Sequence, residues 1–137
     1  MISHGSFTFT SDRSGIDLDA AYELLVGTHW AGTLSRDVLQ RAAANSLCFG
    51  VHREDRLVGF ARVITDLATF AYLTDVVVHE EFRRQGLGQW FMECILDSPD
   101  LKGLRRITLL TRNAEKLYQR LGFERGSGQL VYMERRS

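Results

Sequence analysis

Two adjacent arginines, Arg83 and Arg84, stand directly before a glycine-spaced turn, Gln85-Gly86-Leu87-Gly88. Residues of these types in this order can hold an anion. A glycine lacks Cβ, so its backbone reaches left-handed conformations and lets a ligand come close. From here the apolar positions Leu87, Trp90, Phe91, Cys94 and Ile95 recur at helical spacing. The amides of Arg84 to Gly88 therefore fall at a helix N-terminus, where negative charge is favoured. The arginines add full positive charge, and the expected ligand bears phosphate. On these residues alone, an ordinary strand-turn-helix connection with a solvated arginine pair is the competing reading.

The elements that must position this turn follow from pattern. Tyr72 to Val78 is β-branched and aromatic and reads as a buried strand that His79-Glu80-Glu81 ends. Upstream, Ser6 to Thr10 reads as a first strand, and Asp17 to Val26 carries a helical stripe at Leu18, Ala21, Tyr22 and Leu25. Ser35 caps a second helix bearing Val38, Leu39, Ala42 and Ala43, closed by Asn45-Ser46. Leu47 to His52 and Leu57 to Ile64 form a hairpin across the polar turn Arg53 to Arg56, and Phe70 to Val78 is a third antiparallel strand. After the glycine-turn helix, Arg106 to Thr111 returns parallel to it, as a strand-helix-strand crossover requires. A last helix over Asn113 to Leu121, striped at Ala114, Leu117, Tyr118 and Leu121, precedes a final strand at Gln129 to Glu134.

Composition bounds the function. The 137 residues, 45% hydrophobic and 10% aromatic, suit one domain of the usual size, roughly 100 to 150 residues. No stretch approaches the roughly 20 apolar residues of a membrane span, and Met1 to Thr10 lacks a signal-peptide pattern. A cytoplasmic protein without a membrane partner is expected. Cys48 and Cys94 lack metal or disulfide spacing, so buried free thiols and no metal are expected. Net charge is zero, but residues 1 to 82 hold 6 Lys plus Arg against 11 Asp plus Glu, whereas residues 83 to 137 hold 11 against 6. The basic half contains the glycine turn and would attract a polyanion. No dense basic run is interleaved with aromatics, which argues against a nucleic acid partner.

Arg83-Arg84-Gln85-Gly86-Leu87-Gly88 resembles the Q/R-x-x-G-x-G/A signature of the GNAT superfamily of N-acetyltransferases, and the valine-rich strand before it resembles the strand that the superfamily places there. Thr111 to Phe123 (TRNAEKLYQRLGF) is similar to its second hallmark, an asparagine opening a helix, a tyrosine five residues later and then a glycine-phenylalanine pair. The resemblance spans about residues 14 to 134. It implies an α/β (α+β) fold with a mixed, splayed central sheet of about six or seven strands flanked by about four helices. It also implies acetyl-CoA as acyl donor and a primary amine, on a small molecule or peptide, as acceptor. The chain would be a monomer or homodimer.

The resemblance implies roles for single residues. Arg83, Arg84, Gln85, Gly86, Leu87 and Gly88 would bind the pyrophosphate of coenzyme A, which also carries a ribose phosphate. Val76, Val77 and Val78 would offer backbone groups to its pantetheine arm. A bulge in that strand would free an amide near Val76 or Val77 to stabilise the oxyanion. Tyr118 is the expected general acid for the departing thiolate, although the same stripe suits a tyrosine that only packs. Asn113 would cap its helix and contact the cofactor. Asp75 is a candidate base, directly or through water with His79 or Glu80, and strand alternation puts it opposite Tyr72, Val76 and Val78. A carboxylate hydrogen-bonded to loop amides is the rival reading. Trp30, beside His29, and Phe70 and Tyr72 are candidate walls of the acceptor pocket. Neither cysteine suits a covalent acetyl relay, so direct transfer in a ternary complex is expected. A non-catalytic acetyl-CoA sensor or regulatory module is the alternative, discriminated by turnover.

Overall fold

A computed structural model describes residues 2–28, 34–126 and 128–137. Its frame is a six-stranded sheet in chain order: β1 (Ile2–His4), β2 (Phe7–Thr10), β3 (Leu47–Arg53), β4 (Arg56–Thr65), β5 (Phe70–Val78) and β6 (Arg106–Leu109). All neighbours are antiparallel except β5 and β6, which run parallel. Helices α1 (Leu18–Val26) and α2 (Arg36–Ala44) cover one face, and α3 (Leu87–Leu96) and α4 (Glu115–Arg120) pack on the other. The parallel pair is possible because α3 supplies the crossover.

Local chemistry explains where the helices begin. Asp17 Oδ1 accepts from the amides of Asp19 (2.9 Å) and Ala20 (3.3 Å), and Ser35 Oγ accepts from Val38 N (3.2 Å). Each satisfies amides that the first helical turn leaves without a partner. Of the expected stripe on α2, Leu39 and Ala43 are buried while Val38 turns outward. Ala21 and Leu25 of α1 join them over Phe60 and Val77. On the opposite face Phe91, Met92 and Ile95 of α3 meet Phe9, Phe49, Val63 and Leu73. Burying a side chain such as Phe91 contributes about 1.5–3 kcal/mol relative to leaving it in water.

Three expectations need correction. The first strand is a hairpin, because Gly5, at φ +59°, lets Ile2–His4 fold back on Phe7–Thr10. The last helix is shorter than Asn113 to Leu121 and spans only Glu115–Arg120. Residues 129–134 form no strand. Leu130, Val131, Tyr132 and Met133 are between 65% and 85% exposed. Strand propensity reflects fit to a pleated, half-buried surface, and this segment has no ladder partner among the described residues. No helix among the described residues is long and apolar enough to cross a membrane.

Candidate active site

The site begins with an extra residue in β5. Across β4 and β5, Phe60 faces Val77 but Arg62 faces Thr74, so Asp75 and Val76 together oppose the single residue Ala61. Asp75 takes φ +54°, a left-handed conformation that Asp tolerates better than most residues. This is a β-bulge, and it leaves one residue outside the ladder. It also shifts the alternation of the strand. Ala71 and Leu73 face the α3 core, and beyond the bulge Val76 and Val78 do so, while Val77 joins the α1–α2 core. The expectation that Tyr72 shares a face with Val76 and Val78 therefore fails, because the extra residue reverses the parity.

Beside the bulge the sheet opens. Parallel pairing of β5 with β6 runs from Phe70 with Arg106 to Leu73 with Leu109 and then stops. From Thr74 onward the β6-facing edge of β5 has no strand neighbour among the described residues, which leaves backbone groups able to pair with an extended, amide-bearing ligand. The resulting cleft has a volume of about 520 Å³ between residues 72–76 and 109–114, with Tyr118 in its wall.

Tyr118 is 8% exposed and packs edge-on against Phe123 at 5.7 Å between ring centres. No hydrogen bond from its hydroxyl is found, yet no buried side-chain N or O is unpaired among the described residues. The Oη is therefore not fully enclosed, and Tyr118 lines the cleft. Burial raises the pKa of this phenol above its ordinary value, so it keeps its proton across the neutral range. Tyr72, also in the cleft, is raised by burial first, with Tyr132 and Asp75 adding to the effect.

Asp75 lines the cleft but its carboxylate is not idle. Arg62 Nε donates to Asp75 Oδ2 at 2.9 Å, and both side chains are about one-seventh exposed (14% and 15%). The partner is thus a guanidinium from β4 rather than loop amides. His79 and Glu80 lie outside the cleft lining. Phe70 opens the parallel pair opposite Arg106, at the end remote from the parting, 42% exposed and outside the lining. Trp30 and His29 fall outside the described residues.

Beside the cleft lies an open groove of about 1080 Å³, which shares Arg112, Asn113 and Ala114 with it. Arg83, Arg84, Arg112, Lys116 and Arg120 line the groove. Its sole lining carboxylate, Glu115, is gripped by Arg125 through two hydrogen bonds (2.7 and 2.9 Å). Such a charge excess concentrates a polyanionic ligand. Arg83 Nε is fixed to the Val78 carbonyl at 2.9 Å, tying the arginine turn to the end of β5. Arg84 at φ +65° and Gly86 at φ +77° shape the turn, and Gly86 caps α3 without a side-chain bond. The first amides of α3 are thereby left for a ligand. A Cβ built on Gly88 meets nothing within 4 Å, so the glycine leaves open space of the kind a diphosphate against the backbone would need.

Asn113 lines both cavities, but it does not cap α4. Ala114 occupies that position, and its amide donates to Thr111 Oγ1 at 3.0 Å. Sequence reasoning missed Arg62, which only the strand register brings to Asp75. It also did not single out Arg112, Lys116 and Arg120, although the positive balance of residues 83 to 137 pointed toward them.

Comparison with known proteins agrees with this geometry. The family profile described as an acetyltransferase (GNAT) domain matches residues 44–125. A provisionally named acetyltransferase of Gibberella zeae is 32% identical over 139 residues, covering 85% of this chain and 77% of that protein. The crystal structure of a provisionally assigned GNAT-family acetyltransferase from Xanthomonas campestris pv. campestris has a TM-score of 0.90 at 40% identity, covering 100% of this chain and 96% of that one. The ribosomal-protein-S18-alanine N-acetyltransferase of Escherichia coli has a TM-score of 0.74 at 26% identity, covering 88% and 79%. With a bulged strand that parts from its parallel neighbour above a buried tyrosine and beside a cationic groove, this chain belongs to the GNAT family of acetyl-CoA-dependent acetyltransferases.

Proposed function

We propose that this protein moves an acetyl group from acetyl-CoA to a primary amine by direct transfer in a ternary complex. The observation that carries this reading is that the Tyr118 cleft and the cationic groove share Arg112, Asn113 and Ala114 in their walls. Acetyl-CoA supplies an activated acyl group whose thiolate departs. Arg83, Arg84, Arg112 and Lys116, with the open backbone at Gly86 to Gly88, would hold the phosphates. Asn113 lines the same groove, whereas Gln85, whose Nε2 donates to the Glu81 carbonyl, and Leu87, buried in the core, would offer only their backbone amides. The edge of Val76, Val77 and Val78 would pair with the pantetheine amides, and an amide released at the bulge would receive the developing oxyanion. Tyr118 would donate the proton to the leaving sulfur.

Asp75 is a poor direct base, because its Oδ2 is taken up by the Arg62 guanidinium at 2.9 Å. We therefore assign proton removal from the acceptor to solvent, with the amine entering neutral. Tyr72 and Trp30 are proposed walls of the acceptor site, and Phe70, outside the cleft lining, is left out of it. Both thiols are raised by burial, Cys94 to about 11, which disfavours a covalent acetyl relay.

A panel of amines incubated with acetyl-CoA and read by free thiol release tests the reading. One arm is a peptide N-terminus, because a relative is named for acetylating an alanine of ribosomal protein bS18. Turnover should rise with pH toward the pKa of the accepted amine. Saturable acetyl-CoA binding without turnover on any amine would instead support a sensor.

A further inference from the structure

A strand in a small sheet gains little from a shielded ion pair. Removing two charges from water costs about as much as their attraction returns, and apolar replacements of such pairs often leave stability unchanged or higher. The pair of Arg62 and Asp75 is shielded in this way, at 2.9 Å with side chains 14% and 15% exposed. It sits on the one β5 residue that is both surplus to the ladder and held at φ +54°. Arg62 itself faces Thr74 in register, so its reach to Asp75 is diagonal, across the irregularity. Its Nη1 lies 3.4 Å from Ser46 Oγ, which donates to the Ala42 carbonyl at 2.5 Å. The guanidinium is thereby tethered to the C-terminal turn of α2. Charge, strain and tether converge on the bulge.

Building on the reading in which a bulge amide receives the oxyanion, we propose that Arg62 is a positioning residue. By holding Asp75 on the α2 side of the sheet, it keeps the extra residue in place, turns Val76 and Val78 toward α3 and sets the direction of the amides that face the cleft. Arg62 touches neither donor nor acceptor in this role and acts only through Asp75.

The test is an amide nitrogen-proton NMR titration of the wild-type chain and of the double variant Arg62→Met with Asp75→Asn, using acetyl-CoA as probe. Asn tolerates the left-handed conformation, and the double change leaves no lone buried charge, so the fold should persist. In the wild type, acetyl-CoA should shift the amides of Val76 and Val77 as well as those of Gly86 to Gly88. In the double variant the shifts at Gly86 to Gly88 should remain and acetyl-CoA affinity should stay within about threefold, while those at Val76 and Val77 vanish; turnover on an amine accepted by the wild type should fall about 100-fold, as for loss of one oxyanion donor. Arg62→Lys should restore part of both. Unchanged shifts at Val76 and Val77 in the double variant, with only the melting temperature altered, would overturn the proposal and leave the acetyltransferase reading intact. Absence of all these shifts in the wild type would overturn both.

Discussion

At the scale of single residues, the proposed chemistry rests on Tyr118, a phenol that burial keeps protonated. Tyr118→Phe removes the Oη and little else, since the ring stays packed against Phe123. We expect kcat to fall by about 10² to 10⁴, the usual worth of a positioned acid, with acetyl-CoA affinity nearly unchanged. Steady-state kinetics beside a binding titration would check both halves, and full activity in the variant would remove Tyr118 from the mechanism. Cys94 gives a separate test through pH. Its folded-state pKa of about 11, raised by burial and then by Asp97 and Glu93, lies above the reference value of 9.0. The folded chain therefore holds this proton where the unfolded chain has lost it, so stability is full below pH about 9 and declines between about 9 and about 11. Urea midpoints for Cys94→Ala should decline less across that window than those of the wild type. Equal declines would show that the thiol is not the cause. The place of Tyr118 in the cleft wall was legible in the sequence, because its position after Asn113 and before Gly122-Phe123 matched the family's second hallmark. Arg62 was not, because its partner Asp75 lies 13 residues away and only the register joins them.

At the scale of elements, hydrophobic period located β3, β4, β5 and α3 to within a residue or two, and glycine spacing located the turn before α3. What pattern alone could not show is the bulge. A single surplus residue changes no composition, yet it reverses which side chains of β5 meet α3. The same reasoning explains the segment from 129 to 134, whose residues favour a strand but whose pairing depends on a neighbour that sequence does not specify. The missing cap at Asn113 is a matter of one residue, since Thr111 reaches the Ala114 amide instead. Gly86 is the element-scale test of the turn. Its φ of +77° costs a residue with a Cβ about 1–2 kcal/mol, so Gly86→Ala should melt a few degrees lower. Coenzyme A should also bind it more weakly. A variant that melts and binds as the wild type does would mean that the turn does not need the left-handed conformation.

At the scale of the whole molecule, two opposite charge balances share one sheet, and the positive one surrounds the groove. The even total concealed this until the chain was divided at Arg83. Coenzyme A binding should weaken as salt rises, because exposed charges are screened over about 8 Å at physiological ionic strength. Lys116→Gln and Arg84→Gln should each flatten that dependence in titrations at stepped salt. A dependence unchanged in both variants would remove the groove from phosphate binding. The central claim, that the backbone at the start of α3 receives the diphosphate, is tested most directly by calorimetry with coenzyme A on the wild type and Gly88→Ala. The added methyl meets no protein atom within 4 Å and Ala favours a helix over Gly by about 0.5–1 kcal/mol, so the variant should fold at least as stably. The account predicts saturable binding to the wild type and at least about tenfold weaker binding to the variant, the loss of roughly 1.4 kcal/mol. Equal affinity in the two proteins, or no binding to the wild type, would contradict it.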